Sequence, residues 1–217
     1  VWAPDGATLI YALEAGGEQR LVASDPGDGE VRPLARFAGR ASFVLGPEGR
    51  RLAFQASAPE QPPAVAALAA AAIAVPAAAR QTIPSPAGLG VIDLETGSIA
   101  AVTTDFAAAF FWSPDGRRLL SLHLDDGADR TWFRWRVWED GTIFEGPRFL
   151  PSRTFAAEYL AFFDQFAQSM TPWSPSSDAV VYAGTDEDDT AGVWVQPIAE
   201  GAPPVRVSDG TYAAWSP

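Results

Sequence analysis

The sequence predicts an all-β chain of four consecutive units, each made of four short strands, on three observations. The first is a recurring tight turn: Trp2-Ala3-Pro4-Asp5-Gly6, Leu45-Gly46-Pro47-Glu48-Gly49, Trp112-Ser113-Pro114-Asp115-Gly116 and Trp173-Ser174-Pro175-Ser176-Ser177, with Trp215-Ser216-Pro217 at the end of the sequence. Pro sets φ for such a turn, Asp bonds its own backbone, and Gly supplies a positive φ. The second is that a strand pattern succeeds each copy. After Gly116, for example, Leu120 and Leu122 share one face and Leu119 and Ser121 the other. The third is the period. Pro4 and Pro47 stand 43 positions apart, and Pro175 and Pro217 stand 42 apart, against about 40–45 residues for one blade of a β-propeller. The intervals of 67 from Pro47 to Pro114 and 61 from Pro114 to Pro175 then read as blades carrying insertions of roughly 20–25 residues on that baseline. Paired-helix solenoids are excluded, because the segments after each turn are short and β-branched or aromatic.

The expected units are 3–45, 46–112, 113–173 and 174–215, with insertions at 58–88 and 149–170. In the first unit, Thr8–Leu13, Arg20–Ser24 and Val31–Leu34 read as strands. Gly16-Gly17 and Asp25-Pro26-Gly27-Asp28-Gly29 are the turns between them. Arg40–Leu45 is the inner strand of the next blade, followed by Arg50–Ala56. In the stretch Ala58–Pro86, six prolines surround an Ala-rich centre, and Val65–Val75 is wholly apolar. That run is too short for a bilayer span of about 20 residues and lacks a charged face. It reads as a rim loop, with a partner-docking helix as the alternative. Leu89–Glu95, Ser98–Thr104 and Ala107–Trp112 complete the series.

The third unit holds Leu119–Leu124, the turn Asp125-Asp126-Gly127, and Trp132, Phe133, Trp135 and Trp138 interleaved with Arg134 and Arg136. Alternation puts Trp132, Arg134 and Arg136 on one face and Phe133, Trp135 and Val137 on the other. Such interleaving can bind single-stranded nucleic acid, but in an acidic chain it reads as a core strand with Arg stacked on Trp. In the second insertion Phe155, Tyr159, Phe162, Phe163 and Phe166 recur at helical spacing, so Thr154–Phe166 reads as an amphipathic helix. It leads into the inner strand that reaches Trp173. Phe163, Asp164 and Gln165 are therefore the candidate binding residues at a channel mouth, and packing alone is the competing reading. In the fourth unit Ala179–Ala183, Gly192–Ile198 and Val205–Ser208 are strands. Asp186-Glu187-Asp188-Asp189-Thr190 is a solvated hairpin tip, since it lacks the alternating ligands and central Gly of a calcium loop.

The turn followed by these strands resembles the TolB-like family of β-propeller repeats. The residues that carry the resemblance are Trp2, Pro4, Asp5, Gly6, Pro47, Gly49, Trp112, Pro114, Asp115, Gly116, Trp173, Pro175, Trp215 and Pro217. Leu45 departs from the Trp of the pattern, and Ser176-Ser177 from its Asp-Gly. The resemblance implies an extracytoplasmic, periplasmic or cell-surface, bacterial binding or assembly platform with a protein or peptide partner. Since TolB-like propellers usually have more than four blades, it also implies that further blades lie outside the sequence.

Composition supports a packed, acidic chain. The net charge is −12, and every one of the 15 basic residues is Arg, which argues against nucleic-acid or anionic-membrane surfaces. Eight Trp and thirteen Phe suit stacked sheets. With no Cys, disulfide and thiolate chemistry are excluded. His123, the single histidine, reads as a packed residue. No nucleophile elbow, zinc-protease motif, P-loop or dinucleotide fingerprint is present, and no carboxylate pair stands out. The expectation is therefore no catalytic residues, no metal and no cofactor within the sequence. A non-catalytic binding propeller is the leading reading. The alternative is the gating propeller of a prolyl-oligopeptidase-like serine peptidase, whose Ser, Asp and His would lie elsewhere.

Overall fold

Hairpin follows hairpin along this chain because each turn sequence reverses a strand whose apolar residues need a second sheet to cover them. The description rests on a computed structural model and covers all residues except 16–17, 38, 58–87, 128–130, 168 and 216–217. The Gly16-Gly17 turn, nearly all of the 58–88 insertion and Pro217 lie outside the described residues. Contacts divide the chain into two units, Val1–Phe106 and Ala107–Pro217.

The first unit holds two antiparallel sheets. β1 (Leu9–Ala15), β2 (Glu18–Ser24) and β3 (Val31–Phe37) form one, and β4 (Arg40–Leu45), β5 (Arg51–Ser57), β6 (Leu89–Asp93) and β7 (Ile99–Thr103) form the other. The first sheet gains a short fourth segment at its edge. Val1 and Ile10 exchange two hydrogen bonds of 2.8 Å, and Trp2 bridges Leu9. Ile10, Leu21, Leu34 and Phe37 pack with Leu45, Leu52, Phe54 and Ile92 in one core, with Phe37 edge-on to Phe54 at 5.7 Å.

The second unit is one seven-stranded antiparallel sheet, in the order β14-β13-β12-β11-β10-β9-β8. Its strands are β8 (Ala107–Trp112), β9 (Leu119–Asp126), β10 (Thr131–Glu139), β11 (Thr142–Pro151), β12 (Ala179–Thr185), β13 (Ala191–Pro197) and β14 (Val205–Ser208). The sequence predicts separate four-stranded blades here, whereas β11 and β12 join the third and fourth units through two residue pairs, Leu150 with Thr185 and Pro151 with Gly184. Gly184 permits this, since a Cβ there would lie 2.3 Å from the Leu150 carbonyl oxygen. β11 also runs on through Pro151, so residues 149–151 are strand rather than insertion.

The recurring turn has the same geometry in all four copies. Gly6, Gly49, Gly116 and Ser177 have φ of 69°, 71°, 69° and 61°. Each donates its N–H three residues back, to Ala3, Gly46, Ser113 and Ser174, at 3.0, 2.9, 2.8 and 2.9 Å. The left-handed conformation disfavours L-residues other than Gly, Asn or Asp, so Ser177 needs support from elsewhere. Its hydroxyl accepts the Asp115 N–H at 3.1 Å, and its carbonyl accepts from Arg118 Nη1 at 2.9 Å. Arg118 is itself held by Glu139 at 2.9 Å. The third and fourth turns are thus clasped together.

The tryptophans of the motif act between copies. Trp173, fully buried, donates its indole N–H to the Phe111 carbonyl at 3.1 Å. Trp215 donates to the Pro172 carbonyl at 3.1 Å. In both cases the acceptor is the residue before the tryptophan of the previous copy.

Candidate functional site

Between β11 and Trp173 the chain makes a helical segment, and its register departs from the sequence expectation. A π-helical turn spans Phe155–Tyr159, a 3-10 turn Leu160–Phe162, and an α-helical turn Phe163–Phe166. The regular amphipathic helix expected over Thr154–Phe166 is replaced by these three turns. The wide first turn rotates the residues after it, so the buried set is Phe155, Tyr159, Leu160, Phe163 and Ala167. Phe162 and Phe166, expected in the buried stripe, are 47% and 38% exposed, and Met170 is 36% exposed.

The buried side is an aromatic nest. Phe163 meets Phe110 at 4.9 Å and Phe111 at 5.8 Å. Side chains of successive residues leave opposite faces of a strand, and β8 is an edge strand, so the segment lies along that edge. Tyr159 stacks on Phe111 at 5.8 Å with an interplanar angle of 2°, and on Phe155 at 5.4 Å. Trp135, Phe149 and Tyr182 continue the cluster, with Phe149 and Tyr182 at 4.5 Å. On the other side Tyr159 meets Tyr212 at 5.8 Å, and the Ser152 hydroxyl donates to the Thr211 carbonyl. Tyr159 also donates its hydroxyl to the Met170 carbonyl at 2.7 Å, which closes the segment on itself. Burial, reinforced by Tyr212, pushes the Tyr159 phenol well above its usual range, so it remains a donor.

Of the three residues singled out in the sequence, the structure separates one from the other two. Phe163 is buried as an anchor on β8, while Asp164 and Gln165 are exposed. Sequence spacing does not reveal the outward stripe of Phe162, Phe166 and Met170. Its signal is a four-residue spacing, but a uniform helix would turn Phe162 and Phe166 inward with the rest. Among the described residues, no helix is long and apolar enough to cross a membrane, and no cluster of His, Cys, Asp and Glu is arranged to hold a metal.

Other polar groups singled out by sequence have structural partners. Arg134 and Arg148 both grip Asp125, at 2.7 and 2.9 Å, and Arg136 pairs with Glu145 at 2.9 Å. The two arginines, Arg148 foremost, hold the Asp125 carboxyl below its usual range. Arginine–carboxylate pairs thus hold these guanidinium groups, and Trp132 is buried, with 7% of its surface exposed. His123 is buried at 2% with Nε2 2.8 Å from the Ser121 hydroxyl. The Asp186 carboxylate accepts from the backbone N–H groups of Asp188 at 3.0 Å and Thr190 at 2.8 Å, which shapes its hairpin. In the first unit, an open groove of about 370 Å³ is lined by Leu9, Tyr11, Ser24, Asp25, Pro26 and Val31.

No family model matches the sequence, and no curated protein matches it. Solved structures do. The β-propeller domain of the trilobed protease from Pyrococcus furiosus, described as having an open velcro topology, has a TM-score of 0.53 at 10% identity, over 94% of this chain and 54% of that one. An uncharacterised protein, lmo1340, from Listeria monocytogenes EGD-e has a TM-score of 0.52 at 11% identity, over 94% and 51%. TolB from Acinetobacter baumannii has a TM-score of 0.47 at 13% identity, over 96% and 42%. The chain therefore spans about half the length of these structures, and at such identities the likeness is one of fold. The antiparallel sheets and the repeated turn make this a partial β-propeller, with TolB and other propeller proteins among its structural neighbours.

Proposed function

We propose that this chain is part of a non-catalytic propeller whose helical connection, residues 152–170, binds a protein or peptide. The observation that carries the reading is the division of that segment into two sides. Phe163 anchors it to β8, and Phe162, Asp164, Gln165, Phe166 and Met170 remain outward. A packed anchor under exposed aromatic residues is the arrangement of an interaction surface rather than of a rim cap, whose aromatics would all turn inward. In this reading the segment, which leads into the inner strand at Trp173, borders the propeller channel, and the family resemblance supports a place outside the cytoplasm.

A second reading is favoured by the likeness to the propeller domain of a protease. In it this propeller filters substrates for a serine peptidase domain carried on the same polypeptide. The parent reading frame separates the two. A G-x-S-x-G elbow downstream of residue 217 supports the peptidase reading, and further copies of the turn without a hydrolase support the binding propeller. The binding surface itself is tested by selecting displayed random peptides on the full-length protein and on the F162S/F166S variant. Enriched peptides that bind both proteins equally would overturn the assignment of the site.

A further inference from the structure

We infer that residues 153–170 form an 18-residue recognition cassette set into the middle of a strand, so that the blade is complete without them; that the cassette does the recognising rests on the reading of this connection as the binding surface. A strand of six residues leads into the second and the third turn, β4 (Arg40–Leu45) and β8 (Ala107–Trp112). At every turn the residue that enters it pairs with the one seven positions on: Trp2 with Leu9, Leu45 with Leu52, Trp112 with Leu119 and Trp173 with Val180. Among the described residues, no continuous strand precedes Trp173.

The fourth unit builds that strand from two separated pieces. Val181 of β12 donates its N–H to the Pro172 carbonyl at 2.8 Å, next to the bridge between Trp173 and Val180. Further along β12, Ser152 donates to the Ala183 carbonyl at 2.9 Å, Pro151 pairs with Gly184, and Leu150 with Thr185. Thr185 lies five positions beyond Val180, just as Ser57, the partner of Arg40, lies five beyond Leu52. Leu150, Pro151 and Ser152 therefore hold the first three of six places, and Pro172 and Trp173 the last two. Thr171 falls at the fourth, opposite Tyr182. The spacing of the turns agrees: without these 18 residues, the 61 positions from Pro114 to Pro175 become 43, the distance from Pro4 to Pro47. The cassette is also closed at both ends. Ser152 accepts the Phe155 N–H on its hydroxyl at 3.1 Å and the Ala156 N–H on its carbonyl at 2.9 Å, and the Tyr159 hydroxyl donates back to the Met170 carbonyl at 2.7 Å. The exposed Phe162, Asp164, Gln165, Phe166 and Met170 all lie inside it, so the outward surface and the pairing with β12 use different residues.

The test deletes residues 153–170 from the full-length parent protein, so that Ser152 joins Thr171 in register. Two controls slip the join by one residue, deleting 153–169 or 152–170. A slip of one residue turns a strand's side chains to the opposite face. The in-register deletion should unfold in one cooperative urea transition. Its midpoint should lie below the parent's, because Phe110 and Phe111 lose the cover of Tyr159 and Phe163, but above both slipped variants by about 0.5 M or more. Its Ser152 amide should stay as protected from hydrogen exchange as in the parent. A displayed peptide selected on the full-length protein should bind the in-register deletion at least about tenfold more weakly. Loss of cooperative unfolding, a midpoint no higher than those of the slipped variants, or free exchange at Ser152 overturns the cassette. Peptide binding equal to the parent's in a deletion that passes those tests, or no peptide selected on the parent, overturns the recognition reading and leaves the insertion into the strand standing.

Discussion

Replacing Gly184 by Ala tests whether the close approach of β11 and β12 is built into the sheet. Gly184 does not need a positive φ, so with open space around it the substitution would stabilise the fold by about 0.4–1 kcal/mol, through the lower entropy of the unfolded chain. Space is what it lacks. The added Cβ would lie 2.3 Å from the Leu150 carbonyl oxygen and 3.0 Å from both the Leu150 carbonyl carbon and Phe149 Cδ2. The nearest of these is roughly 1 Å inside contact distance and belongs to backbone, which moves only if the strand moves. Overpacking of this kind costs about 1–3 kcal/mol, more where backbone must shift. The expected net effect is a loss of about 1–3 kcal/mol, a drop of order 1 M in the urea midpoint at a slope near 2 kcal/mol/M. Gly146 is the control. It also lies in the buried part of the sheet, but a Cβ there would meet Trp135 at an ordinary 3.5 Å, so G146A should leave the midpoint unchanged or raise it. If G184A proves as stable as the parent, or if both variants move together, the crowding argument is refuted.

Four further outcomes are expected. Trp173→Phe removes the indole donor to the Phe111 carbonyl and opens a cavity, which should cost about 2–4 kcal/mol by chemical denaturation; a loss under about 1 kcal/mol would show that the 3.1 Å bond contributes little. Tyr159→Phe should speed amide hydrogen exchange at residues 163–167, because the hydroxyl that closes the segment on Met170 is gone, while strands β12 and β13 stay protected; unchanged exchange in the segment contradicts this. Asp125→Asn should change the pH profile of melting temperature in a defined direction. Its folded pKa lies below the ordinary value of 3.8, so its contribution is complete above about pH 4 and fades as pH falls through the folded pKa; the gap between parent and variant should narrow below pH 4, and a gap constant down to pH 2 counts against the paired carboxylate. Finally, Gly49→Ala should cost more than Gly6→Ala despite their matching φ, because only at Gly49 would the new Cβ meet a neighbouring turn, 3.0 Å from Pro4 Cδ; equal losses in urea unfolding would mean that Pro4 yields.

The turns and strands were legible because they are local. Pro, Asp and Gly specify the turn by their own dihedral preferences, and the alternation after it specifies the strand. β4, β8 and β14 have the bounds read from the sequence, Arg40–Leu45, Ala107–Trp112 and Val205–Ser208. Less local features were not legible. The pairing of β11 with β12 depends on Gly184 having no side chain at one crossing point, and a glycine in a strand does not announce which backbone approaches it. Likewise, helical spacing could not show that the turn after Phe155 is wide, since the turn fits Phe155, Tyr159 and Phe163 to rings on β8 and β10. The segment expected to be helical therefore makes helical turns, with part of its face reversed: Phe163 turns in, and Phe162 and Phe166 turn out.

The indole bonds bear on how such a chain changes its length over generations. Trp173 reaches the residue before Trp112, and Trp215 reaches the residue before Trp173. A stretch running from one tryptophan to the next therefore brings its own acceptor and supplies the donor for its predecessor. Tandem duplication or loss of one such stretch leaves every remaining donor and acceptor matched, with no second-site change. Whole-repeat changes here thus conserve these two indole bonds, whereas a half-repeat change would part an indole N–H from its carbonyl acceptor.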